Sequence, residues 1–372
     1  MQAILVGGRV GLMAAVVFAV IAPVRALAEP ACDATIRVLL ERRGTAFSLV
    51  SQGQSYTFEP ASRGRLRING MEQAVWRSAP NQARLAGQRV PGVLSIVPLK
   101  EGLGLIAEVP LEVYVAGVLK GEIPALWQAH ALRAQAVASR SYGLHQQLTR
   151  ARRPYDVEAN TRHQVFALGR PFKSVERAVA ATRCEVLTWR GEPILAAFHS
   201  ASGGRTASSR EVWGKHLSYL TSNEVKAEDG SPDTYWRTAV SRTTMSRLLD
   251  GVGMSVGDVW AAQVLARSES GRVVKLRFMG SGGEIRLSGQ KLRSLVGESA
   301  LKSTLFELSV KDGFFVFVGS GRGHGVGMSQ WGAQGMARQG ALYTEILNSF
   351  YPGTRLTRWR SKSEEAEAFA GR

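Results

Sequence analysis

Apolar positions along the chain follow two different periods. From Ala34 to about Leu105 they recur at every second residue, as in Ile36, Val38 and Leu40 and again in Leu66 and Ile68. A period of two belongs to strands with one buried face, and turns such as Asn69-Gly70 separate the runs. This stretch predicts a small β module. A strand over 104–109 then leads into Pro110, and the period lengthens. Leu111, Val115, Val118 and Leu119 stand at i, i+4, i+7 and i+8, predicting a helix up to Lys120 with Pro110 in its first turn. A second helix is expected from about Leu126 to Leu148, with Ala129, Ala131, Ala134, Ala136 and Ala138 allowing close approach of neighbours. Gly121 and Pro124 fix a reversal between the two helices, where neither is expected to continue.

Further on, 150–154 is a basic loop and 155–166 is irregular. A short helix is predicted over 175–181, with strands over 185–189 and 194–198. The second of these delivers His199-Ser200-Ala201-Ser202-Gly203-Gly204 at a strand end, a plausible sugar-binding rim. The segment from about 235 to 318 reads as an inserted α/β scaffold, with helices near 243–249 and 289–296. Its strands are expected at 273–278, 284–287, 305–310 and 314–318. Glycine then occupies every second position from Gly319 to Gly327, around His324; such density permits positive φ and lets backbone amides approach a ligand. The bulk of Met328, Trp331 and Met336 argues for a packed element there. A helix over 343–350 stops at Pro352-Gly353, and 361–372 reads as a disordered polar tail. The fold class is α+β: mostly short strands in small sheets, a few helices, and an acid on a turn between two of them.

The N-terminus changes the compartment. Arg9 precedes an apolar run over 10–24, and Ala26-Leu27-Ala28 offers small residues where a signal peptidase reads, so 1–28 is expected to be a signal peptide. The run is short for a spanning helix and Pro23 interrupts it, so membrane contact is expected through this segment alone. The protein is expected to be exported, periplasmic or cell-wall associated, with a β module at 29–104 and a larger domain at 105–360. The 372-residue chain carries 47 basic against 30 acidic residues, a net +17. That balance favours a polyanionic environment such as a wall polymer or anionic lipid. Export and the scatter of the basic residues argue against nucleic acid. Cys32 and Cys184 are too few for a thiolate zinc framework; an oxidising compartment lets them pair, and two buried thiols fit equally.

Several side chains carry candidate chemistry. Glu122 sits alone at the reversal, as either a working acid or a solvated turn residue. Gln135, Arg140 and Tyr142 stand on the alanine-rich helix. Asp156, Glu158 and His163 lie close together without the spacing of a metal site. His199 and Ser200 are neighbours on an extended chain and point apart, and no G-x-S-x-G elbow occurs, so serine hydrolase chemistry is not expected. The glycine run lacks the Gly-Lys-Ser/Thr of a phosphate loop.

PLEVYVAGVLKGEIP, ALRAQAVASRSY, FHSASGG, VWG and GHGVGMSQWGAQGMARQG, in that order, resemble the stage II sporulation protein D family, also called the SpoIID/LytB domain family. The resemblance covers about 105–357. Such families act on peptidoglycan: the sporulation protein is a lytic transglycosylase, and LytB-type relatives enhance amidase autolysins. The resemblance implies that Glu122, in the family's E-M-P or E-I-P turn, is the catalytic acid, and that Gln135, His199, Ser200, Ser202, His324, Gln330 and Trp331 contact glycan. One carboxyl suffices to protonate the glycosidic oxygen between N-acetylmuramic acid and N-acetylglucosamine and then deprotonate the muramyl 6-hydroxyl, closing a 1,6-anhydro ring. Hydrolysis normally needs a second carboxylate. The apolar company of Ile123, Leu126 and Trp127 is expected to raise the Glu122 pKa.

Two departures stand out. Arg322 replaces the aromatic residue common before Gly-His. Some members bind zinc through a cysteine pair after the second helix, where DVEANTRHQVF has none and Glu158 and His163 stand in roughly those places. No cofactor and no metal are therefore expected. Two functions remain open: a lytic transglycosylase acting on glycan strands, or a non-catalytic wall-binding partner that stimulates a cell-wall amidase.

Overall fold

The computed structural model describes residues 33–161 and 163–360; the expected signal segment, Cys32 and the expected disordered tail lie outside the described residues. The architecture is α+β, with strands gathered in small separate sheets. The strand Thr35–Arg43 pairs antiparallel with Gly102–Pro110, which pairs with Val93–Leu99. This register stacks Ile36, Val38, Leu105 and Ala107 on one fully buried face. The division expected at 104/105 thus falls inside a strand. The short strand Val157–Glu158 joins the other edge of Thr35–Arg43 in parallel, and six further short strands form a second sheet.

Helix α1 (Leu111–Glu122) stands on the first sheet. Its apolar positions Leu111, Val115, Val118 and Leu119 are fully buried together with Tyr114, each such side chain contributing about 1.5–3 kcal/mol. The expected turn at Gly121 is corrected: α1 continues through Glu122 and ends at Ile123, extended at φ −137°, as the residue before a proline prefers. Gly117 and Gly121, one helical turn apart, have a packing reason. A Cβ on Gly117 would stand 2.3 Å from the Phe166 ring, and one on Gly121 2.9 Å from the Val165 side chain. The segment around Val165 is therefore seated along a bare stripe of α1, and the Ala167 N–H donates to the Gly117 carbonyl at 3.0 Å.

Helix α2 (Ala129–Thr149) begins three residues later than expected; its cap residue Gln128 donates its N–H to Gln334 Oε1 at 3.0 Å. Arg140 is fully buried on α2. It donates to both oxygens of Glu112 (3.0 and 2.6 Å) and to the Glu185 carbonyl (3.0 Å), clamping α1, α2 and the strand Glu185–Trp189 together. Helices α3 (Lys173–Ala181) and α4 (Ser209–Trp213) follow. The expected strand over 194–198 is reduced to Phe198–His199. In the insert, α5 (Arg242–Asp250) and α6 (Gly289–Val296) pack with strands around their own core of Trp236, Phe278, Phe315 and Phe317. Its strands Trp236–Ser241 and Val259–Arg267 were not expected. The alanines of α2 meet Ala333 of α7 (Gln330–Arg338) and Ile346 and Phe350 of α8 (Tyr343–Phe350) in another core.

The glycine run joins these parts. Met328–Ser329 lies parallel to Phe198–His199. Gly321, Gly323, Gly325 and Gly327 have φ between 73° and 106°, and a Cβ on Gly327 would sit 2.0 Å from the Ala197 carbonyl oxygen. These glycines let two chain segments touch, and the Gly321 and Gly323 N–H groups donate to the carbonyls of Asp233 and Lys302. Their freedom thus serves packing.

Candidate functional site

Glu122, the last residue of α1, projects into a cleft of about 1180 Å³. Val165, held on the glycine stripe, donates its N–H to Glu122 Oε1 at 2.6 Å. The Gln330 side chain lines the same cleft from the start of α7. Burial raises the Glu122 pKa above the ordinary carboxylate range, and the Val165 N–H and the Gln330 amide offset this only in part. Gln330 itself is buried, and its Nε2 finds no hydrogen bond of standard geometry. Leu126 does not provide the expected shield, being 98% exposed. Tyr142 lines the cleft from α2, and burial pushes its hydroxyl pKa up to about 12, with the charge of Glu122 adding to the rise.

On the same cleft stand His199 and His324, ring centroids 5.6 Å apart. Val326 keys both tautomers. Its carbonyl faces His199 Nδ1 at 3.1 Å, which must therefore carry the proton, and its N–H donates to His324 Nδ1 at 3.0 Å, which must not. Burial, then the charge of Arg293, push the His324 pKa down to about 4. Burial, then His324, push His199 well below its ordinary value. Both imidazoles are neutral near pH 7. His199 Nε2 has no hydrogen-bond partner, so it forms no couple with Ser200. Trp213 flanks His324 at 5.6 Å.

Of the side chains singled out from sequence, Glu122, His199, Ser200, His324 and Gln330 line this one cleft. The other three do not. Trp331 packs edge-on against Trp127 at 5.0 Å, and Gln135 is buried within α2, donating to Ser139 Oγ. Ser202 is buried and donates to Glu228 at 2.8 Å.

Glu228 is the residue that sequence reasoning missed. Its buried carboxylate accepts the N–H groups of Ser202, Gly203 and Gly204 (2.7, 2.9 and 3.1 Å) and the hydroxyls of Ser202 and Ser329. Ser329 in turn caps α7 by accepting the Gly332 N–H. One carboxylate thus ties the His199 turn to the helix that carries Gln330. No local pattern marks it, because its partners come from segments 24 to 101 residues away.

Near the region compared with the zinc-binding members, His163 lines the cleft and its Nδ1 accepts the Glu158 N–H at 2.8 Å. The Glu158 carboxylate is held by Arg42, Tyr155 and Asn160. Among the described residues no group of three His, Cys, Asp or Glu is placed to hold a metal ion. Cys184 is disulfide-bonded. No helix of the described residues is long and apolar enough to cross a membrane.

A desolvated carboxyl thus stands at a helix end and opens on a cleft assembled from distant segments. The model of a family described as stage II sporulation protein matches 100–189, which includes Glu122, and a domain of unknown function matches 215–327. A stage II sporulation protein D of Bacillus amyloliquefaciens is 30% identical over 67% of this chain and 74% of its own length. Its counterpart in Bacillus subtilis is 29% identical over 71% and 77%. An amidase enhancer of Bacillus subtilis is 30% identical over 65% of this chain and 40% of its own length. The chain belongs to the stage II sporulation protein D family.

Proposed function

We propose that this protein is a peptidoglycan lytic transglycosylase, with Glu122 as its single acid and base. The observation that carries the reading is the environment of that carboxyl: burial raises its pKa, yet it accepts the Val165 N–H and has the Gln330 amide on the same cleft. The protonated form gives its proton to the glycosidic oxygen between N-acetylmuramic acid and N-acetylglucosamine. The carboxylate left behind is stabilised by those two donors and then removes the muramyl 6-hydroxyl proton as the oxygen closes on C1. The second carboxyl group on the cleft, Glu298, is more than half exposed and is ion-paired with Arg293, a poor candidate for the second acid of a hydrolase. His199, Ser200 and His324 are assigned to the glycan, as neutral hydrogen-bonding groups. Such a role places the protein in the exported, wall-associated compartment expected from its N-terminus.

A second reading is favoured by the relative named as an amidase enhancer: a wall-binding partner that stimulates an amidase without cleaving glycan. Digestion of purified glycan strands, followed by mass spectrometry, separates the two. The transglycosylase reading requires 1,6-anhydromuramyl ends with the native chain and none with Glu122→Gln. Absence of such ends, with amidase stimulation retained by both chains, supports the second reading.

A further inference from the structure

Three guanidinium groups line the cleft of Glu122, those of Arg150, Arg293 and Arg322, and they are not equivalent. Arg293 is buried and committed: it donates to the Leu301 carbonyl at 3.1 Å and pairs with Glu298 at 3.3 Å. Arg322 is half-exposed, and its ion pair is a loose one, 4.0 Å to an Asp233 carboxylate whose other oxygen holds Lys302 at 2.6 Å. Arg150, at the C-cap of α2, has no side-chain hydrogen bond or ion pair among the described residues.

Arg150 lines the cleft from the end of α2 together with Tyr142, and Arg322 lines it from the glycine run beside His324. The Trp331 N–H bonds the Ser200 carbonyl, and Ala201 pairs with Arg322 through two backbone hydrogen bonds, which fixes the backbone of Arg322 at the cleft. The unpaired Arg150 and the loosely paired Arg322 thus both face the cleft that holds the acid. A planar guanidinium without a partner, facing a cleft, matches a carboxylate by geometry as well as by charge.

We propose that Arg150 and Arg322 recognise carboxylates on the bound strand and so select acid-bearing glycan over neutral glycan. The inference rests on the glycan reading of the cleft. Along such a strand the carboxylate comes either from the lactyl ether of muramic acid or from a stem peptide.

Isothermal titration of the full chain carrying Glu122→Gln tests this without turnover. Three probes are used: neutral chitohexaose, peptide-free muramyl oligomers and peptide-bearing muramyl oligomers. Adding Arg150→Leu or Arg322→Leu is expected to weaken binding of an acidic probe by about tenfold, with partial rescue by lysine, which keeps the charge and loses the planar fork, and to leave chitohexaose unchanged. The added loss is also expected to shrink at high salt. Loss with peptide-free strands assigns the lactyl carboxylate; loss confined to peptide-bearing strands assigns the stem peptide. Equal affinity of parent and variants for both acidic probes, or an equal loss for chitohexaose, overturns the proposal. Because binding is the readout, lack of turnover by the native chain would bear on the transglycosylase reading alone.

Discussion

The N–H of Val165 meets Glu122 Oε1 at 2.6 Å across 43 residues of chain. That contact exists because Gly117 and Gly121 leave α1 bare where Val165 and Phe166 lie down. A backbone donor is rigid, so the carboxyl is aimed before any ligand arrives. The same contact stabilises the charged form, while burial favours the protonated one.

The pH dependence follows from the balance. Burial raises the Glu122 pKa, and on the proposed transglycosylase reading the first step needs the proton. Transglycosylase kcat/KM is expected to fall as pH rises through that raised pKa, in a profile measured with glycan strands. A profile flat through the acid and neutral range would remove Glu122 from the proton-transfer step.

Replacing Glu122 is also expected to change stability in a definite direction. A carboxyl whose folded pKa is raised contributes stability below its unfolded pKa and loses it as pH rises through the folded one. Glu122→Gln keeps an acceptor for the Val165 N–H and removes the buried charge. Its melting temperature should exceed that of the native chain at pH 8, with the difference shrinking towards pH 4.

Gln330 is expected to act on rate more than on binding. On the proposed mechanism its buried amide, which favours the charged form of Glu122, is a donor to the carboxylate that the first step leaves behind. Hydrogen bonds to charged groups are worth about 1.5–3 kcal/mol, so Gln330→Leu should lower kcat by roughly 10- to 100-fold. Steady-state kinetics in which KM rises while kcat holds would make Gln330 a ground-state sugar contact.

Glu228 is expected to be a stability residue. Glu228→Ala leaves the buried N–H and hydroxyl of Ser202 and the buried hydroxyl of Ser329 without their acceptor, at about 1–3 kcal/mol each. Denaturant unfolding should show a loss of at least about 3 kcal/mol, and loss of activity should track unfolding. A well-folded but inactive variant would instead point to a role at the cleft.

Acid should weaken the fold through the histidine pair. His324 lies near pKa 4 in the folded state against 6.5 as the reference, and His199 is also lowered. The unfolded chain takes up those protons first, so stability should decline as pH falls from about 6.5 towards 4. His324→Gln, followed by thermal melts across that range, should flatten the decline.

Local pattern was informative where one element buries one face. The spacing of Leu111, Val115, Val118 and Leu119 marked α1, and helices over 289–296 and 343–350 fell where expected. It failed where neighbours decide. The helix ran on through Gly121 because Val165 packs there, Leu126 turned outwards, and the largely exposed strand Val259–Arg267 showed no alternation to read.

The sequence by itself determined the α+β character, the core faces of its helices and, through five blocks in a fixed order, the family. Which candidates share a cleft was decided only by tertiary structure: His199, Ser200, His324 and Gln330 line the cleft of Glu122, while Gln135, Ser202 and Trp331 turn into packing. Side-chain periodicity is set by hydrogen bonds a few residues long and can be read along the chain. The convergence of α1, the glycine run and Glu228 depends on close contacts between distant segments, and those are fixed by complementary shape.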